Sequence, residues 1–307
     1  MTQAPPTQNA EAFVKANGLE LCYQEFGDPS APPLLLIMGL GTQMTGWPDE
    51  FCAQLASAGL RVIRFDNRDV GLSSKIEDAR DYDSPRWGFV KSFLGKKVNG
   101  PYLLGDMAAD TLGLMDALKL EKAHIVGASM GGMIAQTVAA QNPERVASLT
   151  SIMSTSGARG LPQGKPKVLW RLGKRPASKE PEAIVQHLVT TMRMIGSPDI
   201  QKSREQWAAQ IRKGVARSYY PPGTTRQLLA IMASGSREKL LAKIQCPSLV
   251  IHGDADPLVP LGNGEHTAKC IPGARLEVIL GMGHDLPPVL IPKLADMIAE
   301  HALATQG

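Results

Sequence analysis

The chain has 307 residues, 43% of them hydrophobic and 20% charged, with a net charge of +4, which fits a globular protein of one large core, with or without an inserted module. No apolar stretch approaches the length of a membrane span, and Met1 to Asn9 has neither the basic start nor the apolar core of a secretory signal, so integral-membrane and exported classes are set aside and a cytoplasmic location is expected. Cys22, Cys52, Cys246 and Cys270 show no Cys-x-x-Cys spacing and the six histidines no His-Glu-x-x-His cluster, which points to reduced buried thiols and to no metal and no cofactor.

After a short unstructured start through Pro6, apolar strands alternate with amphipathic helices. The spacing predicts strands at Ala12 to Ala16, Glu20 to Phe26, Pro33 to Met38 and Leu60 to Asp66, with a helix from Glu50 to Ala58. The first two strands, joined through Asn17-Gly18, read as an edge hairpin. By contrast, Leu34-Leu35-Leu36-Ile37-Met38 is apolar throughout, as a parallel strand buried on both faces must be. A helix is expected from Leu104 to Leu118, a strand from Ala123 to Gly127, a helix from Met130 to Gln141 and a strand from Val146 to Met153. From about Gly157 prolines, glycines and helical stretches such as Glu182 to Met194 and Lys202 to Arg217 replace the alternation, which resumes near residue 238. Residues 1–156 and 238–307 therefore read as one α/β core, and residues 157–237 as a helical lid inserted between two of its strands.

Gly127-Ala128-Ser129-Met130-Gly131 lies where a strand gives way to a helix. A serine flanked by glycines at such a turn is a nucleophile elbow: the turn leaves no room for neighbouring Cβ atoms, and the helix aims its positive end at charge forming on a substrate. Ser129 is the candidate nucleophile. Its hydroxyl needs a base, and the base needs an acid to hold it. The expected strand ending at His252-Gly253 is followed by Asp254-Ala255-Asp256-Pro257, which carries two carboxylates, and the strand Arg275 to Leu280 by Gly281-Met282-Gly283-His284-Asp285. His284 thus follows a strand's carboxyl end, where ligands bind in open α/β sheets. His124 and His252 read as core or loop residues.

The order serine, aspartate, histidine, the elbow, the lid placement and the stretch Asp66-Asn67-Arg68-Asp69-Val70-Gly71-Leu72-Ser73 together resemble the α/β-hydrolase superfamily. Met38-Gly39-Leu40-Gly41, Gly46-Trp47-Pro48-Asp49-Glu50-Phe51 and Gly281-Met282-Gly283-His284 look most like the aclacinomycin methylesterase group of small serine esterases. The resemblance implies a mostly parallel eight-stranded sheet with helices on both faces. It also implies a catalytic acid directly before Pro257, which selects Asp256 and leaves Asp254 to cap the turn, and an oxyanion hole built from the backbone N–H groups of Leu40 and Met130. Met38-Gly39 stands where many relatives have His-Gly, removing a polar group that would brace that loop. Arg68 and Asp69 read as a buried pair holding their loop, and Asp285 as the start of the last helix, with Pro287 and Pro288 in its first turn.

From Ala158 through Leu240 there are 16 basic and 5 acidic residues, a net of +11, which leaves −7 for the rest of the chain. Such a lid draws anionic substrates, makes weak contact with acidic membrane surfaces, or is a solvated surface. No nucleic-acid-binding motif accompanies the charge. Met44, Met130, Met133, Met192, Met194, Met232 and Met282 are candidates for an adaptable apolar pocket. The reading that follows is a carboxylic-ester hydrolase working on a small-molecule ester through Ser129, His284 and Asp256, as monomer or homodimer. Proline-iminopeptidase-like and perhydrolase activities, and a ligand-sensing receptor, are the alternatives, although the scarcity of lid acids weighs against the first. Serine at the elbow speaks against epoxide hydrolase and dehalogenase chemistry.

Overall fold

The computed structural model describes residues 8–77 and 81–304; the expected unstructured start through Pro6 lies outside the described residues. In chain order the elements are β1 (Ala12–Ala16), β2 (Leu19–Phe26), β3 (Pro33–Ile37), α1 (Asp49–Ser57), β4 (Arg61–Phe65), α2 (Pro85–Phe93), α3 (Leu104–Ala117), β5 (Ala123–Ala128), α4 (Met130–Gln141) and β6 (Val146–Ile152). There follow α5 (Pro166–Leu172), α6 (Pro181–Ile195), α7 (Arg204–Arg217), α8 (Pro221–Ser234), α9 (Glu238–Leu241), β7 (Ser248–Gly253), α10 (Gly262–Cys270), β8 (Arg275–Ile279) and α11 (Ile291–Leu303).

The eight strands form one sheet in the order β1-β2-β4-β3-β5-β6-β7-β8. Among the strands of the described residues, β1/β2 and β2/β4 pair antiparallel and the other neighbours pair parallel. The β1/β2 hairpin turns at Asn17 and Gly18, whose φ values of 48° and 76° are the left-handed pair that matches strand twist. The central strands are buried on both faces, so alternate side chains feed two cores. Leu35, Ile37, Ile63 and Ile125 pack with α3 and α4, whereas Leu34, Leu36, Val62 and Val126 pack with α1 and α11.

Helices α5 to α8 lie between β6 and β7, where the sequence places its helical insertion. α6 and α7 hold a small core of their own, Val185, Val189, Trp207 and Ala208. The insertion is fastened at its base by buried Arg237. Its guanidinium donates to the carbonyls of Thr155 at 2.7 Å and Gly235 at 3.2 Å, while its N–H reaches the Ser156 carbonyl at 2.8 Å, so the entering and leaving strands of chain are joined.

Arg68 and Asp69 do not pair with each other, contrary to the sequence reading. Arg68 forks onto Asp110 of α3 at 2.5 and 2.6 Å, and Asp69 receives Arg226 of α8 at 2.9 and 2.6 Å together with the Tyr102 hydroxyl at 2.8 Å. The reason is that Asp69 sits at φ 71°, a left-handed turn that points its carboxylate at the insertion. Among the described residues, no helix is long and apolar enough to cross a membrane.

Burial works to raise the Asp69 carboxyl's pKa, but bonds from Arg226, the Ile76 N–H and Tyr102 outweigh it and hold the group below the ordinary carboxylate range. A depressed folded value stabilises the fold above the unfolded carboxyl's pKa of about 3.9, and that stability is lost as pH falls through the folded value. Arg226→Met should therefore lower stability at neutral pH by about 3–5 kcal/mol, because it strands a buried carboxylate. The deficit should shrink as pH falls and Asp69 takes up a proton in wild type and variant alike. Denaturant unfolding across a pH series checks both, and an unchanged midpoint at pH 7 would contradict the assignment.

Candidate active site

Ser129 stands between the last residue of β5 and the first of α4, at φ 56° and ψ −119°. Few non-glycine residues adopt this conformation, and it is held from both sides. The Ser129 N–H donates to the Ile152 carbonyl at 2.9 Å, and the Ser129 carbonyl accepts from the Ser154 hydroxyl at 2.8 Å. The flanking glycines are required by contact: a Cβ on Gly127 would strike the Gly131 carbonyl, and one on Gly131 would strike the Ile37 carbonyl. The elbow thus depends on strand end, helix start and the neighbouring strand β3 meeting backbone to backbone.

His284 and Asp256 reach the same point from the loops after β8 and β7. His284 Nε2 lies 3.0 Å from Ser129 Oγ, and its Nδ1 lies 2.6 Å from Asp256 Oδ2. The other Asp256 oxygen accepts the Leu258 and Val259 N–H groups at 2.9 and 2.8 Å. Those two donors fix the carboxylate plane. An ionised carboxylate can only accept, so the proton of the His284–Asp256 bond belongs on Nδ1, and Nε2 is left bare towards the serine hydroxyl. Asp256 and His284 are buried while Ser129 keeps partial exposure, an arrangement that leaves the serine hydroxyl reachable.

Asp254 lies apart from this set. It is exposed and accepts the Gly281 N–H at 2.7 Å, capping the turn after β8. His252 is buried, donates from Nε2 to the Val259 carbonyl at 2.7 Å, and has its pKa pushed down by burial. It is a neutral packing group 3.8 Å behind Asp256. His124 bonds the Ser148 hydroxyl at 2.9 Å between two core strands.

The loop after β3 passes beside Ser129: a Cβ on Gly39 would stand 3.1 Å from the Ser129 Cβ. Leu40 follows in that loop, and Met130 opens α4, whose first N–H groups have no intrahelical acceptor. The missing histidine brace has a counterpart that the sequence reading did not identify. Gln227 of α8 accepts the Gly41 N–H at 2.8 Å and donates to the Arg68 carbonyl at 2.8 Å, while Asn67 donates to the Met38 carbonyl at 2.9 Å. Met130 and Met282 are fully buried and Met133 nearly so, and they belong to the cores on the two faces of the sheet.

The insertion also grips the histidine loop. The His284 N–H donates to the Ile195 carbonyl at 2.8 Å, and the Gly283 N–H to Ser197 Oγ at 2.8 Å. Asp285 does not start the last helix; α11 begins at Ile291. Its carboxylate instead accepts the Ser197 N–H and hydroxyl at 2.9 and 2.6 Å, in surroundings whose burial raises its pKa. Glu238, His266 and Cys270 place metal-type ligand atoms within 4.8 Å of one another; none of the three belongs to the Ser129 set.

Residues 32–288 match the family model described as the alpha/beta hydrolase fold, and the chain belongs to that family. It is 30% identical over 313 residues to rhodomycin D methylesterase DauP of Streptomyces sp. (strain C5), covering 95% of this chain and 98% of that protein. It is 32% identical over 256 residues to a poly(3-hydroxyalkanoate) depolymerase of Ectopseudomonas oleovorans, covering 82% of this chain and 78% of that one. Among solved structures, a meta-cleavage product hydrolase from Pseudomonas fluorescens IP01 superposes with a TM-score of 0.74 at 20% identity, covering 96% of this chain and 98% of that chain, a likeness of fold.

Gln227→Leu should leave the Gly41 N–H and the Arg68 carbonyl without partners, at about 1–3 kcal/mol for each. If the glutamine holds the Leu40 loop in register, kcat should also fall roughly tenfold to a hundredfold, with KM little changed, since misplacement of this kind is felt mainly in the transition state. Kinetics at a temperature where the variant is fully folded separate the two effects. Unchanged kcat alongside lowered Tm would make Gln227 a packing residue only.

Proposed function

We propose that the chain is an esterase-type hydrolase that cleaves carboxylic esters through an acyl-enzyme on Ser129. The observation that carries the reading is His284 held between Asp256 at 2.6 Å and Ser129 at 3.0 Å, with the serine at a strand-to-helix elbow. Similarity to a named methylesterase over nearly the full length supports it, and directs the first assays to methyl esters.

In this reading Ser129 Oγ attacks the ester carbonyl as His284 Nε2 takes its proton. Asp256, anchored by two backbone N–H groups, holds the imidazole in the right tautomer and stabilises the imidazolium. The N–H groups of Leu40 and Met130 receive the oxyanion; such preorganised donors contribute about 3–4 kcal/mol each in comparable enzymes. His284 then returns its proton to the leaving alcohol, and water attacks the acyl group by the same route. The substrate is a small-molecule ester, and the four free cysteines suit a cytoplasmic setting.

Ser129→Ala should give a folded protein that has lost several powers of ten in ester hydrolysis; more than about a tenth of wild-type activity would remove Ser129 from the mechanism. Asp256→Asn should lower turnover by roughly three to four powers of ten through the wrong histidine tautomer, whereas Asp254→Asn should act on stability alone. Equal losses in the two folded variants would reassign the acid. A chain-length series of p-nitrophenyl esters run beside proline p-nitroanilide tests the class, and faster release from the anilide would replace the esterase reading with a peptidase one.

A further inference from the structure

Single exposed apolar side chains are ordinary, but clusters of large ones on neighbouring segments call for a partner. Helix α2 leaves Trp87, Phe89 and Phe93 exposed by 55%, 63% and 83%, followed by Leu94 at 59%. Its one buried residue is Gly88, where the helix backbone comes down on Leu229 and Met232 of α8. Resting on a glycine, the helix turns its aromatic side chains outward. Helix α5 repeats the arrangement: only Val168 is buried, and Trp170 is 65% exposed between exposed Leu169 and Leu172.

The residues around these side chains carry one sign of charge. Residues 85–97 contain four basic and no acidic residues, and residues 159–179 contain seven basic and no acidic ones. Lys91 is committed to Asp83 at 2.7 Å, but Arg86, Lys96, Lys97, Lys167, Lys174 and Arg175 are exposed. The Lys174 ammonium lies 4.0 Å over the Trp170 ring. The two segments are linked, since Arg159 donates to the Gly95 carbonyl at 3.3 Å. They also adjoin the candidate site. The Lys165 N–H at the start of α5 bonds the Pro257 carbonyl at 2.8 Å, next to Asp256, and α2 rests on the helix that carries Gln227.

We propose that α2 and α5 form a docking face for an anionic lipid surface. Trp and Phe would sit at headgroup depth, and the lysines and arginines would pair with lipid phosphates while their stems cover apolar surface. A second copy of this chain fits less well: in a two-fold contact the same patch meets itself, which sets like charges against each other. A neutral apolar surface would make no use of the cations. The face works independently of the reaction at Ser129.

The test is co-sedimentation of the full chain with vesicles of phosphatidylcholine alone or of an equal mixture with phosphatidylglycerol, with sedimentation velocity on the free protein. Binding to the mixed vesicles should exceed binding to neutral ones by at least about tenfold at low salt and weaken as salt rises. Replacing Trp87, Phe93 and Trp170 by Ser should lower it about tenfold or more. The charge reversals Lys167→Glu, Lys174→Glu and Arg175→Glu should erase the preference for anionic lipid. Both variants should keep wild-type Tm and hydrolysis of a water-soluble ester. Absence of wild-type binding, or equal binding to both vesicle types, overturns the proposal. So does a dimer that the aromatic substitutions abolish, which would assign the face to self-association.

Discussion

Ser129 is held at φ 56°, and much of the surrounding architecture is needed to keep it there. The β5-to-α4 turn is tight enough that Gly127, Gly131 and the end of β3 touch through backbone atoms alone. The Ser129 N–H is tied to β6, so three adjacent parallel strands converge on one residue. A left-handed conformation at a non-glycine position persists only where its surroundings over-determine it. The buried central strands supply that rigidity, because their alternate side chains are locked into cores on both faces of the sheet. The loops after β7 and β8 then have a fixed target on which to bring Asp256 and His284.

The helical insertion is part of this scaffold. Its positive charge and the core's negative charge, which look in sequence like a device for steering ligands, are partly spent on buried ties between the two. Arg226 reaches Asp69, and Arg217 reaches Asp66 at 2.8 Å. Asp66 also accepts the Met44 and Leu72 N–H groups at 2.7 and 2.9 Å, so this pair holds the loops after β3 and β4 together. Ile195 and Ser197 fasten the histidine loop, and Gln227 the Leu40 loop. An insertion tied in this manner sets the positions of the loops that carry His284 and Leu40. Other cations, on α5 and beside α2, take no part in these ties, and their company of exposed aromatics gives them a different use.

Local signals in the sequence were enough for the sheet, and they also single out the three side chains that the structure brings within hydrogen-bond reach of one another. Asn17-Gly18 announces the hairpin, unbroken apolar runs mark the central strands, and α4 spans Met130–Gln141 as its pattern indicates. Helices α2, α5 and α8 were harder to read. α2 and α5 expose their large apolar residues, reversing the rule that links apolar periodicity to burial, and α8 opens with two prolines and a glycine. The partners of Arg68, Asp69 and Asp285 were equally hidden, since each lies on an element distant in sequence. One indication was available: Asp66 and Asp69 fall in a stretch that must be buried beside the elbow, which demands cations, and the insertion has a surplus of them. Gln227 left no such trace, because an uncharged brace has no complement that composition can reveal.

The most direct measurement of the central claim is covalent capture of the nucleophile. A fluorophosphonate transfers its phosphoryl group only to a serine whose proton has been drawn off by a positioned base. Intact-mass analysis and peptide mapping of the treated protein should find a single adduct on Ser129, abolished by prior unfolding and greatly slowed in His284→Ala. Labelling of another serine, or a folded wild-type protein that stays unlabelled, would contradict the account.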